Sequence, residues 1–401
     1  MSFPFISEDK AAGEIAFLDT ISDQFSRKLP PVKNTVRAII IIPAKDEEDG
    51  IEFTLKAIQS QKDFPDQIIP FEFYEVLVMC HNCSDRTFEK CRKFRLDHPG
   101  FPLQILELNS IEANTVGAAR RILMNIAAER LPENSGLIIS TDADTIPDSL
   151  WLNHLFEYIN KDIDMICGLI NPTVSPENHQ ADTYLKAKDA YMTLRTKLEC
   201  QFVPISYDSW PRHSYHWGPN LAVKKEVYQK IGGMKPLHFL GDVDFYKRVI
   251  LAGYKVRHSL KAIVNTSTRI NSRCTEGFGA ELKVWTEWQG VGYEVEGLEK
   301  LISRFEMYQK IAQNFHSPSF ETVKELMELS GVELKSIEGC FKESPNFRAA
   351  IISFEDHLDR NLFWNEKFPN TGVLKACQDL EEYFSVSPFI SAKDSECKTD
   401  A

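Results

Sequence analysis

Residues 37–42 read Arg-Ala-Ile-Ile-Ile-Ile and run directly into Pro43. A short β-branched run with no polar alternation needs cover on both faces. It is most often a central strand of a parallel sheet. The chain after it repeats one pattern. A helical periodicity over 50–62 leads to an apolar run at 71–79, then to a helix pattern at 86–96 and a strand at 103–108. The helix pattern 116–130 and the strand 136–140 complete the series. This β-α-β alternation predicts an α/β fold with an open, mostly parallel, doubly wound sheet and flanking helices. Ligands on such sheets sit at the C-terminal ends of the strands. Three polar clusters follow strands and so fall on that edge: residues 43–48, 80–85 and 141–144.

The chain has 401 residues, more than one ordinary domain. Residues 1–35 read as a helical lead-in ending at Pro30-Pro31, 36–290 as the sheet domain, 291–390 as an all-helical C-terminal extension, and 391–401 as a disordered tail. Helical breaks are expected at Ser317-Pro318 and near Pro369. A second amphipathic helix is expected over 181–200, where Tyr184, Ala187, Tyr191, Leu194 and Leu198 share a face. The C-terminal helices leave three roles open: acceptor binding, a homodimer, or cover for the core.

The formal net charge of −12 argues against nucleic acid as a partner, since nonspecific binding rests on Lys and Arg neutralising phosphates. It leaves room for a local basic pocket. The nine cysteines lack framework spacing and are odd in number, which suits a reducing compartment. The N-terminus has acids early and no basic segment before an apolar run, and no stretch approaches a transmembrane span. The expectation is a cytoplasmic protein with no transmembrane segment.

Asp142 and Asp144 follow the strand 136–140. Side chains two residues apart on an extended strand share a face, with Cα atoms about 6.5–7 Å apart. A bend past the strand end would let one carboxylate hold a hard cation such as Mg²⁺ or Mn²⁺ while the other holds a ligand. The triplet alone carries little, because Asp-x-Asp also occurs at 162/164 and 242/244. Asp162 and Asp164 lack the strand-then-loop setting and read as surface. Asp242 and Asp244 precede a helix pattern at 245–251. One carboxylate there suits a general base and the other a helix cap, and Asp242 is assigned the first role. Asp85 likewise suits either ligand binding or a cap of the helix after it.

Taken in order, these segments resemble family-2-type inverting glycosyltransferases of GT-A fold over about residues 36–290. Residues 42–48 (Ile-Pro-Ala-Lys-Asp-Glu-Glu) resemble the family's nucleoside-binding entry, with Asp46 where Asn is more usual. Residues 82–87 resemble the loop whose Asp contacts the base, and Gly117-Ala-Ala-Arg120-Arg121 the segment that approaches the donor. Residues 216–220 (His-Trp-Gly-Pro-Asn) with 231–234 resemble the acceptor side, and 241–244 the base motif, with Gly241 in place of its first acid. The resemblance implies a nucleoside diphosphate sugar donor, a hydroxyl acceptor and a divalent metal. The donor would be bound by Pro43, Ala44, Asp46, Glu47, Asp85, Gly117, Arg120 and Asp142. Asp144 and Asp142 would hold the metal. His216, Trp217 and Asp244 would lie on the acceptor side, with Asp242 as base. Arg269 and Arg273 would close a basic loop over the diphosphate. Many relatives carry a late metal-binding His where this chain has Thr266, which leaves fewer protein ligands or a substitute such as His258.

Alternatives stay open at this stage. A retaining enzyme resembling glucosyl-phosphoglycerate synthases would share the fold. A nucleotidyltransferase would use similar acids but a Gly-rich basic loop after the first strand, which residues 43–48 lack. A non-catalytic nucleotide-sugar sensor would bind without turnover. Cys80-x-x-Cys83 sits in the setting of a redox motif but coincides with the nucleotide loop.

Overall fold

A computed structural model describes residues 8–64, 66–133, 136–173, 179–267 and 293–387. Arg269, Arg273 and the tail 391–401 lie outside the described residues. The chain falls into two compact units. The first is drawn from Met1–Thr173, Tyr215–Tyr246 and Ser259–Glu281, the second from Val174–Ser214, Lys247–His258 and Leu282–Ala401.

The first unit is built on the run that opens the sequence. Every residue of β1 (Ala38–Ala44) is buried, as is every residue of β2 (Tyr74–His81). Strands β1, β2, β3 (Leu103–Leu108) and β4 (Leu137–Ser140) pair in parallel. The remaining strands are β5 (Thr145–Pro147), β6 (Met165–Thr173), β7 (Leu221–Lys224) and β8 (Val256–Ser267). The sheet order is β3-β2-β1-β4-β7-β6-β8-β5. β7 runs antiparallel to both β4 and β6, and β5 antiparallel to β8. The parallel part is therefore the half legible as alternating strands and helices. Chain order reverses between β1 and β4, where doubly wound sheets open a crevice at their strand ends. Both the loop after β1 and the loop after β4 start there.

The helices of this half are α1 (Glu8–Ser26), α2 (Ile51–Gln59), α3 (Thr87–Asp97) and α4 (Val116–Arg130). Thr115 caps α4 by accepting the Ala118 N–H at 3.0 Å, and twelve of its fifteen residues are buried, so it is an interior helix. Arg121 on α4 holds α1 through Asp19, at 2.9 and 3.0 Å, and also donates to the Met234 carbonyl at 2.7 Å. Further along come α5 (Trp151–Phe156), α6 (His179–Phe202), α7 (Lys225–Lys230) and α8 (Gly241–Leu251).

The second unit is mostly helical. Its helices include α6, α9 (Leu298–Asn314), α10 (Phe320–Ser330), α11 (Leu334–Glu343), α12 (Phe347–Asp359), α13 (Leu362–Lys367) and α14 (Val373–Val386). Leu198, Phe305, Leu326, Phe354, Trp364 and Leu380 are fully buried in one apolar cluster. The breaks at 315–319 and 368–370 fall at the two prolines expected to stop helices. The extension is not helical throughout, because β9 (Glu294–Val295) and β10 (Thr371–Gly372) pair as a short antiparallel ribbon. Among the described residues no helix is long and apolar enough to cross a membrane.

Candidate functional site

The loop after β1 and the loop after β2 are locked together. Asp46 lies in the left-handed region at φ 54°, which Asp and Asn enter more easily than other side-chain-bearing residues. Its Oδ1 accepts the Ser84 N–H at 2.6 Å and the Ser84 hydroxyl at 3.0 Å. In return Asp85 Oδ2 accepts the Glu48 N–H at 3.0 Å, and the Thr87 hydroxyl accepts the Glu47 N–H at 2.7 Å. Asp85 Oδ1 also takes the Thr87 N–H at 2.9 Å at the start of α3. Asp85 therefore makes the helix-start contact that the sequence left open. Pro43 and Ala44 end β1, and the Ala44 carbonyl accepts the Cys83 thiol at 3.4 Å. Asp46, Cys83 and Asp85 bring ligand atoms within 4.8 Å of one another. Asp46 Oδ1 and both oxygens of Asp85 accept N–H and O–H donors, so in this structure the cluster ties the two loops together.

The loop after β4 is pinned from three sides. Thr141 N–H reaches the Ile41 carbonyl at 3.1 Å, the Thr54 hydroxyl donates to the Ala143 carbonyl at 2.8 Å, and Ser267 N–H reaches the Asp144 carbonyl at 3.3 Å. Asp142 pairs with the Arg120 guanidinium from α4. Burial pushes the Asp142 carboxyl above the usual range; Arg120 pulls it back, while Asp144 and Asp242 push it up again. Asp142 thus feels the charge of Asp144 in its own triplet and of Asp242 in the third one. Asp142 and Asp144 are hard oxygen donors of the kind that Mg²⁺ or Mn²⁺ takes, and the Arg120 guanidinium bonded to Asp142 is the counter-charge beside them. Asp162 is exposed and Asp164 half-buried in the turn before β6, as the surface reading expects.

Both Asp242 and Asp244 lie in the first turn of α8, where the helix dipole favours carboxylates. The helix starts at Gly241, four residues before its apolar pattern. Asp242 Oδ2 accepts the Gly218 N–H at 2.7 Å and Oδ1 the Val243 N–H at 2.9 Å. Asp244 pairs with Lys235 at 3.4 Å. His216 stacks on Tyr246 with centroids 4.1 Å apart, and Trp217 on Tyr215 at 4.7 Å. Asn220 is a tie rather than a contact for ligand: it accepts the Trp151 indole N–H at 2.8 Å and donates to the Leu169 and Ala262 carbonyls, each at 2.9 Å. At Gly117 a Cβ would lie 2.3 Å from the Leu237 carbonyl oxygen, so the segment before α8 closes on the start of α4 there.

Thr266 stands next to this site but faces Thr145 across the β5–β8 pairing, hydroxyl to hydroxyl at 2.8 Å. His258, the substitute ligand considered from sequence, belongs to the second unit. There it is buried with Nδ1 2.9 Å from Asp208. Burial alone would raise Asp208; His258 and Arg212 beside it hold the carboxyl well below its usual range. Thr54 and Gly218 were not singled out as site residues. Thr54 gives no sequence signal, being one helix residue among others. Gly218 lies inside the segment 216–220, but its contact with Asp242 spans 24 residues.

Residues 39–232 match the glycosyl transferase family 2 model. "Probable glycosyltransferase YdaM" of Bacillus subtilis (strain 168) is 21% identical over 252 residues, covering 60% of this chain and 53% of that protein. The chain thus spans about half the length of this curated relative. Among solved structures, the mannosyltransferase PcManGT from Pyrobaculum calidifontis in complex with GDP-Man and Mn²⁺ is 14% identical, with a TM-score of 0.41 over 97% of this chain and 96% of that one. TarS 1–349 of S. aureus in complex with UDP is 13% identical, with a TM-score of 0.44 over 80% of this chain and 92% of that one.

Proposed function

We propose that this chain, which carries a family 2 glycosyltransferase domain of GT-A fold, moves a sugar from a nucleoside diphosphate sugar to a hydroxyl acceptor in one inverting step. The observation that carries this reading is the contact chain at the sheet's ligand edge, in which Arg120 holds Asp142 and packs on Gly218, whose N–H orients Asp242. The domain is taken as 36–290, followed by the helical extension.

In this reading the loops after β1 and β2, with Pro43, Ala44, Asp46, Glu47 and Asp85, receive the nucleoside. Arg120 and Gly117 bound the donor from α4. Asp142 and Asp144 would hold Mg²⁺ or Mn²⁺, which when bound supplies positive charge to the leaving diphosphate. Arg269 and Arg273 add bidentate donors to the same oxygens. His216 and Trp217, each backed by a second ring, form the acceptor wall. Asp242 takes the proton from the acceptor hydroxyl as the new bond forms at the anomeric carbon. Two backbone N–H groups hold its carboxylate in place for that transfer, and Asp244 stays on Lys235 as a support. None of the seven described cysteines is in a disulfide, which suits a cytoplasmic setting.

The test is a panel of UDP-, GDP- and dTDP-sugars with and without Mn²⁺, scored by thermal shift and by nucleoside diphosphate release. One donor class should raise the melting temperature and be turned over. Asp242→Asn should keep that donor's binding and lose transfer by about 10²–10⁴-fold, the usual weight of a general base. Retained turnover in this variant removes the base assignment. NMR of the product anomer distinguishes inversion from retention.

A further inference from the structure

We propose that Arg120 is a positioning residue that couples Asp142 to Asp242 through Gly218, so that loading the donor site resets the base. The inference rests on the roles given above to Asp142 and Asp242.

Three contacts form a chain. The Arg120 guanidinium is bonded to Asp142 Oδ1, and the Arg120 side chain is only 10% exposed. Its other side lies against Gly218, where a Cβ would come within 2.2–2.4 Å of Nη1, Cζ and Nη2. Gly218 then donates its N–H to Asp242 Oδ2 at 2.7 Å. Gly218 is not among the glycines with positive φ, so its backbone does not require glycine. The missing side chain instead leaves space for the guanidinium. Residues 120, 142, 218 and 242 come from four separate segments, and the guanidinium is what joins the middle two.

A divalent cation on Asp142 competes with Arg120 for the same carboxylate and repels its charge. A diphosphate arriving with it offers the guanidinium a new bidentate partner. Both changes draw Arg120 off Asp142. Because Gly218 packs on the guanidinium, its N–H, and with it Asp242, takes a new position only once the donor site is filled. Arg120 thus acts through Gly218 on the base and does not itself take the proton.

The experiment is a double-mutant cycle read first by binding of Mn²⁺ alone, followed by electron paramagnetic resonance of the free ion. Arg120→Met removes the competing cation, and Gly218→Ala pushes the guanidinium off Asp142. Each should bind Mn²⁺ about fivefold or more tighter than wild type, the usual lower end of a coupling between sites. The double variant should bind no tighter than Arg120→Met, and Arg120→Lys should stay near wild type. The second readout is kcat and KM on the donor identified above. Either single substitution should lower kcat more than it moves donor KM, and the two losses should not add. Additive effects in either readout, or Gly218→Ala binding Mn²⁺ as wild type does, overturn the coupling. Melting curves verify that each variant is folded. If no donor is turned over at all, the glycosyltransferase reading fails while the Mn²⁺ cycle still decides the coupling.

Discussion

Asp46 Oδ1 accepts both the backbone N–H and the hydroxyl of Ser84, at 2.6 and 3.0 Å, from a backbone held at φ 54°. Two requirements meet at one position: a left-handed conformation and an acceptor oxygen three bonds from Cα. Asp and Asn alone among ordinary residues meet both well. This explains why Asp can stand where the family more often has Asn. Asp46→Asn is therefore expected to unfold in urea within about 0.5 kcal/mol of wild type and to keep donor affinity. Asp46→Ala loses the acceptor, and with it the short polar side chain that lets Asp hold a left-handed backbone, at a combined cost of about 2–3 kcal/mol, with donor binding weakened because the two loops separate. Equal stability of the Asn and Ala variants would remove this account of the position.

Glu75 on β2 and Arg130 in the last turn of α4 form a bidentate pair at 2.6 and 2.7 Å, each side chain only 6% exposed. The pair fixes the end of α4 over the β2 strand, far along the chain from the loops that carry the candidate site. Losing one partner strands a buried charge, so Glu75→Gln should lower unfolding stability by about 3 kcal/mol or more. Replacing both, as Glu75→Leu with Arg130→Met, should recover most of that loss, since an apolar pair of similar volume has no charge to desolvate. The check is urea unfolding of the two variants against wild type. A double variant as weak as the single one would mean that the contact matters for more than its charges.

The parallel half of the fold was legible because its strands are buried on both faces and its helices are periodic. The expected helix 116–130 and strand 103–108 match α4 and β3 to the residue. The strands β5 to β8 were not read. β5 has three residues and β7 four, too few for a periodicity, and both lie in the mixed half, outside the regular parallel β-α-β series. The Asp-x-Asp at 142/144 was separable from its copy at 162/164 by the strand before it, which is local information. The contacts that join the site are not local. Arg120 meets Gly218 across 98 positions, and no pattern in either segment names the other. The same limit applies to His258, which a residue-type search offers as a ligand and which the fold buries against Asp208. Asp85 shows a third case, in which the acid suited two roles and the structure gives it the helix-start bonds, leaving nucleoside contact as a proposal.

His81 ends β2, where the loop locked to the one after β1 begins, and is only 3% exposed. Burial, with the Lys45 ammonium nearby, lowers its pKa to about 4, while the Ala44 carbonyl and Asp46 pull weakly the other way. An unfolded His titrates near 6.5. The folded chain therefore resists a proton that the unfolded chain accepts. The stability this gives is complete above about pH 6.5 and is lost as pH falls towards 4, amounting in full to roughly 3 kcal/mol. Carboxylates titrating in the same range add their own slope, so the measurement is a difference. Urea unfolding of wild type and His81→Asn at pH 7 and pH 5 should show wild type losing about 1–2 kcal/mol more than the variant over that interval. Parallel losses in the two proteins would mean that His81 charges as easily folded as unfolded, and that the end of β2 is open to water.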